Sequence, residues 1–309
     1  MNSTQTIKLA AVSRNYFNMP IWVATHCDLF KEENLQVDIE LHEPIDEVTE
    51  RLEKGRVQLA LGVTEHVILN HEAGGTLTII GGNVNKLPFS LIAKPSIKEF
   101  SDLKNKVIGV SSKLAGSSSL IMKILETQGL NYPKDYDFAE VGPILARWEK
   151  LQSGEIDAGL QGTPLNQIAS EQGFNSIVEP KSYFPHFQFT SLNVDARWAQ
   201  NNLKLLAGFM RAFIKAHRLF FSDQKLMRDI AIKETGISGK HADSAWEEYT
   251  EEDMFSINGE FSIEGIQCLI DESALIRSIA KRRGRNAADY VNSQFITEAL
   301  GMILSLIHI

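Results

Sequence analysis

Cysteine is scarce: Cys27 and Cys268 are the two in 309 residues, too few for a disulfide framework, although one bridge stays open and the redox compartment is not decided by them. No H-E-x-x-H, C-x-x-C or spaced Cys/His set occurs, so no metal site is expected. No G-x-S-x-G elbow occurs either, and no acidic pair stands out as a general acid and base. On those grounds neither catalysis nor a cofactor is expected. A basic excess is missing too: 31 Lys and Arg stand against 39 Asp and Glu, for a net charge of −8, which argues against a general nucleic-acid or membrane surface. No run approaches the ~20 apolar residues of a membrane span. The opening MNSTQTIKLAAV has no apolar run long enough for a signal peptide before the first strand. As written the chain is expected in the cytoplasm; a leader removed or missed would make it periplasmic or membrane-associated.

What is present is a core-sized share of hydrophobic residues, 43%, in a chain long enough for two domains of about 100–200 residues each. The chain also says one thing twice. Residues 38–64, DIELHEPIDEVTERLEKGRVQLALGVT, align without a gap to residues 137–163, DFAEVGPILARWEKLQSGEIDAGLQGT. Asp38 matches Asp137, Pro44 Pro143, Ile45 Ile144, Glu50 Glu149, Leu52 Leu151, Gly55 Gly154, Leu61 Leu160 and Thr64 Thr163. Each copy reads as a strand, a helix started by proline, a glycine stop and a short apolar strand. A repeated βαβ unit predicts two similar α/β lobes, since a solenoid needs at least three repeats.

In chain order, 7–13 reads as a strand and Pro20 opens a helix to about residue 33, which Asn34 ends in a left-handed conformation. Further strands are expected at 37–41, 78–80, 89–93, 106–111, near 177 and at 188–194, and helices at 65–73, 117–128 and 164–172. From 196 the pattern is helical only: 196–221, 224–235, 240–252, 262–280 and 287–300. No element is assigned to the closing LSLIHI. The fold class expected is α/β, two lobes each built on a mainly parallel sheet with flanking helices, and a helical C-terminal extension on the first lobe. The first lobe takes 1–90 plus 191–309 and the second 91–190. Ligands of open α/β sheets sit beyond the carboxyl ends of the strands, so a cleft between two such lobes is the expected site.

Residues 20–40, PIWVATHCDLFKEENLQVDIE, resemble a recurrent signature of periplasmic substrate-binding proteins of the nitrate/sulfonate/taurine type, a family that also includes thiamine-pyrimidine-precursor binders. The resemblance continues through FSDLKNKVIGVSS (100–112), where the family has a DLKGKxVGV run, and SGEIDAGLQGTPL (153–165), and covers roughly 7–235. Asp28 and Asn34 stand where glycines are common, and the cysteine run of the pyrimidine synthases in this superfamily is absent. The resemblance implies a type II binding-protein fold that closes on a small ligand and passes it to an ABC permease and ATPase.

The loops at strand ends supply the candidate ligand-binding residues. Arg14, Asn15 and Tyr16 follow the first strand: Arg14 can hold an anion bidentately and Tyr16 can stack on a flat ring. Their ordinary alternative is an exposed loop. Thr64 and Glu65 follow the second strand of the repeat, where capping of the next helix is an equal expectation. His66 beside them reads as structural. Asn83 and Asn85, after Gly81-Gly82, face the site or make a turn. In the second lobe Ser112, Lys113, Gly116 and Ser117 belong to SSKLAGSSS, which resembles an anion-binding helix N-terminus but lacks the Gly-Lys-Ser ending of a P-loop. Gln161, Gly162 and Thr163 form the matching turn of the second repeat. Trp148 and Cys27 read as packing, and the basic run 281–285 as a solvated helix end. The function expected is capture of a small, anionic solute for import, without turnover. The alternative is a cytosolic enzyme on the same fold, a decarboxylase or cofactor-biosynthesis enzyme; a ligand-sensing module is a third reading.

Overall fold

In the computed structural model the described residues are 4–111, 113 and 116–307. They form two compact units: 1–86 with 188–267 and 281–309, and 87–187 with 268–280. Each holds one five-stranded sheet.

The first unit's strands are β1 Gln5–Val12, β2 Leu35–His42, β3 Leu59–Val63, β4 Leu77–Gly82 and β10 Thr190–Asp195, in the order β2-β1-β3-β10-β4. The second unit holds β5 Phe89–Ala93, β6 Val107–Val110, β7 Asp137–Glu140, β8 Ala158–Gly162 and β9 Asn175–Val178, in the order β7-β6-β8-β5-β9. In each, four strands run one way and one runs against them: β10 is antiparallel to β3 and β4, and β5 to β8 and β9. The sheets are therefore mixed. The two copies of the sequence repeat give matching elements. Strands β2 and β7 are followed by helices Ile45–Glu53 and Ile144–Ser153, and these by β3 and β8. Pro44 and Pro143 stand at the helix N-caps, and Gly55 and Gly154 stop the helices at φ 63° and 82°. Such angles cost a side chain strain that glycine avoids.

Helix Leu203–Ser222 carries the first unit's core. Leu206, Phe209, Met210, Phe213, Ile214 and Phe220 are buried at helical spacing. Phe209 stacks on Phe30 at 5.3 Å between centroids, and Phe220 meets Phe255 edge-on at 5.0 Å. Arg211 grips the Glu33 carboxylate bidentately, tying this helix to the one before β2. The second unit's core gathers Ile92, Trp148, Leu151, Ile156 and Ala169, so Trp148 packs as its apolar helix position implied.

Several boundaries differ from expectation. The helix opened by Pro20 spans Met19–His26 and breaks at Asp28, whose φ of 55° is left-handed, before Leu29–Glu32. Asp28 thus takes a conformation suited to glycine, and Asn34 ends the segment at φ 57°. The long helix at 196 is interrupted at Asn202, and 262–280 divides into Ile263–Glu272 and Ala274–Arg277, with the Ser273 hydroxyl capping the second. Segment 268–280 joins the second unit rather than the first: Ile270 and Ile276 are fully buried, and Glu272 ion-pairs with Lys123. The closing segment is helical, from Gln294 to Ile307. Among the described residues no helix is long and apolar enough to cross a membrane.

Candidate functional site

In the first unit the loops after β1, β3 and β4 leave the carboxyl ends of the strands, where open α/β sheets place ligands. The amino end of the reversed strand β10 joins them, with Thr190 opposite Val63 and Ser191 opposite Gly82. Thr64 is fully buried, and its hydroxyl donates to Ser191 Oγ at 3.0 Å, which donates on to Asn193 Oδ1 at 2.7 Å. Glu65 is buried in the first turn of helix Thr64–Glu72, the end that favours a negative charge. Asn83, also buried, donates from Nδ2 to the Phe17 carbonyl and to Thr190 Oγ1, both at 3.0 Å. Its Oδ1 has no partner among the described residues.

The loop after β1 departs from expectation. Arg14 is over half exposed, and its guanidinium is ion-paired with Glu234, which also accepts from His26 Nε2 at 2.6 Å. Its charge is already answered by a carboxylate, so the anion grip expected of it is not free. Asn15 is spent on its own loop: Oδ1 accepts from the Phe17 N–H at 3.1 Å and Nδ2 donates to the Val12 carbonyl at 3.3 Å. Tyr16 is 1% exposed, its ring edge-on to Tyr249 at 4.9 Å and Phe220 at 6.3 Å. A ring packed in the core offers no face for stacking. His66 lies 3.3 Å from Thr49 Oγ1 through Nδ1 and 3.3 Å from Asp46 Oδ1 through Nε2. Asn85 donates to the Glu260 carbonyl at 2.8 Å and accepts from Gln188 Nε2 at 2.7 Å.

The corresponding edge of the second unit is made by the ends of β6 and β8 and the start of β5, with Gly162 opposite Phe89 and Gln161 opposite Ser90. Gln161 is fully buried, and neither its Oε1 nor its Nε2 has a partner among the described residues. Thr163 beyond it is buried. Ser90 Oγ accepts from Asn166 Nδ2 at 3.3 Å. Lys113 is exposed, and its backbone N–H donates to Glu140 Oε1 at 2.8 Å. Gly116 opens helix Gly116–Thr127, with Ser117 half-buried in the first turn. Ser112 lies outside the described residues.

One residue at this edge escaped the sequence reading. Arg147, on helix Ile144–Ser153, is 4% exposed. Its Nε donates to the Leu160 carbonyl at 2.7 Å and its Nη1 to Ser111 Oγ at 3.1 Å. The stem crosses two glycines paired on neighbouring strands, Gly109 and Gly159. A Cβ at Gly159 would stand 2.9 Å from Arg147 Cδ, and one at Gly109 3.3 Å from Arg147 Cγ. No carboxylate pairs with the guanidinium among the described residues, and burial alone pushes its pKa down to about 10, which leaves it charged at neutral pH. The repeat held the signal. Val48 and Gly62 of the first copy stand where the second has Arg147 and Gln161, an arginine on an otherwise apolar helix face above a glycine strand. Among the described residues no group of three or more His, Cys, Asp and Glu is placed to hold a metal.

Comparison with known proteins gives these edges a context. A synthase of 4-amino-5-hydroxymethyl-2-methylpyrimidine phosphate from Candida albicans (strain WO-1) is 28% identical over 171 residues, covering 52% of this chain and 48% of that protein. The chain thus spans about half the length of the curated relatives it matches. Among solved structures, the ligand-binding component of an ABC-type import system from Staphylococcus aureus superposes with a TM-score of 0.77 at 13% identity, over 96% of this chain and 99% of that one. The alkanesulfonate-binding protein of Xanthomonas axonopodis pv. citri, bound to MOPS, gives 0.74 at 14% identity, over 95% and 100%. These likenesses show the fold, that of the periplasmic binding proteins. The NMT1/THI5 like family matches residues 15–225, more than half of the sequence, and the chain belongs to that family.

Proposed function

We propose that this chain is a solute-binding protein that captures a small anionic solute and hands it to an ABC permease and ATPase, outside the cytoplasm. The observation that carries the reading is a pair of buried polar groups without partners among the described residues, each at the carboxyl edge of its sheet: Asn83 Oδ1 in the first unit and the Gln161 amide in the second. A buried polar atom left unpaired costs roughly 1–3 kcal/mol, and a ligand that pairs it recovers that cost. The contacts proposed at the first unit's edge are Thr64, Glu65 and Asn83; those proposed at the second unit's edge, taken by itself, are Lys113, the start of helix Gly116–Thr127 with Ser117, and Gln161, Gly162 and Thr163. The fold shared with import components supports the same reading. A thermal-shift screen against carboxylates, sulfonates, aminopyrimidines and aromatic acids tests it. A ligand at 100 times its dissociation constant adds about 2.7 kcal/mol of stability, a clear rise in melting temperature. No response to any class overturns the reading.

A second reading is favoured by the curated relatives, which are synthases of a pyrimidine phosphate. On it, the chain converts a small ligand rather than carrying it. Mass spectrometry of the bound solute separates the two: the transport reading expects it recovered unchanged. A converted product that disappears in His66→Asn or Glu65→Gln would establish the enzyme instead.

A further inference from the structure

We propose that Arg147 is the anion anchor of the second unit, holding an oxyanionic group of the solute (a carboxylate, sulfonate or phosphate) beside the Gln161 amide. The inference rests on the reading that the chain binds a small solute, and adds the chemistry and the residues that select it.

A guanidinium taken out of water carries a penalty of several kcal/mol that its surroundings must offset, by an ion pair or a full set of hydrogen bonds. Among the described residues the Arg147 guanidinium has neither. Of its N–H donors, Nε is met by the Leu160 carbonyl and Nη1 by Ser111 Oγ. Glu140, at the carboxyl end of the neighbouring strand β7, accepts instead from the Lys113 backbone. A structural arginine would be expected to meet an acid; this one is buried and charged, and no acid pairs with it among the described residues.

The strand geometry brings a second unanswered group to the same place. Side chains two apart on a strand share a face, so Gln161 lies on the face of β8 that Gly159 opens to the Arg147 stem, one step nearer the carboxyl end. Gly109 pairs with Gly159, so Ser111 at the end of β6 continues that face, and its hydroxyl touches Nη1. Ser90, directly across from Gln161 on β5, shares it too. The amide that lacks both a donor and an acceptor partner therefore stands on the face and at the edge where the guanidinium ends. An oxyanion fits this pair: its oxygens accept from Nη2 and from Gln161 Nε2, and Arg geometry suits two parallel N–H···O bonds. Gln161 Oε1 then favours a solute that carries a hydrogen-bond donor next to its acid group.

The first copy of the repeat supplies an internal control. At the same scaffold positions it has Val48 and Gly62, and the atom nearest a Cβ built at Gly62 is the apolar Val48 Cγ1, at 3.3 Å. The same backbone closes there without a charge, so nothing in the βαβ scaffold requires an arginine at 147.

The test uses the full-length protein with sulfate, phosphate and acetate as probes, each against sodium chloride at matched ionic strength, read as melting temperature and by calorimetry. The wild type is expected to show a saturable rise with at least one oxyanion. Arg147→Met, which keeps the stem and removes the charge, is expected to lose that rise by tenfold or more in apparent affinity. Gln161→Met, which leaves the arginine in place, is expected to weaken it several-fold and decides the matter if Arg147→Met fails to fold. A response unchanged in Arg147→Met, or in Gln161→Met where that variant alone folds, overturns the anchor while leaving solute binding intact. A wild type that binds a neutral solute from the screen but answers no oxyanion overturns the anchor too. A wild type that binds nothing in either experiment overturns the anchor and the solute-binding reading together.

Discussion

His217 is fully buried on helix Leu203–Ser222, its ring edge-on to Phe213 at 4.5 Å and Phe255 at 5.7 Å. Nδ1 donates to the Ser256 carbonyl at 2.9 Å, and burial pushes its pKa down from 6.5 to about 4. The unfolded chain therefore binds a proton that the folded one refuses between those values, so stability is fully present above pH 6.5 and falls as the pH drops towards 4. The gap corresponds to about 3 kcal/mol. Urea denaturation from pH 7 to pH 4 should show that loss in the wild type and a flatter profile in His217→Gln; equal slopes would clear His217 as the source. A second prediction belongs to Gly159. Alanine there meets Arg147 Cδ at 2.9 Å and the Gly109 carbonyl at 3.3 Å, and crowding of this kind costs about 1–3 kcal/mol. Gly159→Ala should lower the unfolding free energy in urea by that amount, and should lose most of its effect in an Arg147→Ala background, where the stem is gone. At this scale the sequence was legible where a residue's own type dictates its backbone, as at Asn34, Gly55 and Gly154. It was not legible for Arg14 and Tyr16, whose partners Glu234 and Tyr249 lie more than two hundred residues away.

The repeat made the elements readable, because each copy is a local unit whose proline, apolar spacing and glycine act within a few turns. Strands β2 and β7, the helices after them and β3 and β8 come out in register. The helix opened by Pro20 did not come out whole, since nothing in PIWVATHCDLFKEE but the position of Asp28 marks the break. That break yields an element-scale prediction. At φ 55° an aspartate is tolerated and a β-branched residue is not. Asp28→Val should cost about 1–2 kcal/mol, whereas Asp28→Gly should leave stability unchanged or raise it. Exposed as the Asp28–Lys31 ion pair is, its loss contributes little. Thermal melts of the two variants decide: equal destabilisation would mean the ion pair, not the backbone angle, is what matters.

On the scale of the whole molecule, the assignment of 268–280 to the second unit has a measurable consequence. Ile276 is fully buried, and its helix Ala274–Arg277 packs on Gly116–Thr127. Ile276→Ala should cost about 2–5 kcal/mol, as a buried isoleucine truncation does. Hydrogen exchange should show the lost protection in β6 and Gly116–Thr127, with β1 and β3 keeping theirs. Protection lost from β1 and β3 instead would place the segment with the first unit. The sequence by itself determined the α/β class, the duplicated βαβ unit, the family and the strand-end loops, because periodicity, turn residues and motif order are written over short stretches of chain. Only the tertiary structure decided that the Arg14 charge is answered, that the Tyr16 ring is inside, that 268–280 changes unit, that Arg147 is buried with no acid paired to it among the described residues, and that the Gln161 amide is buried without a partner among them. Those facts depend on burial and on neighbours far apart along the chain: helices Gln224–Thr235 and Gly239–Glu251 for Arg14 and Tyr16, and the sheet order β7-β6-β8-β5-β9 for Arg147 and Gln161.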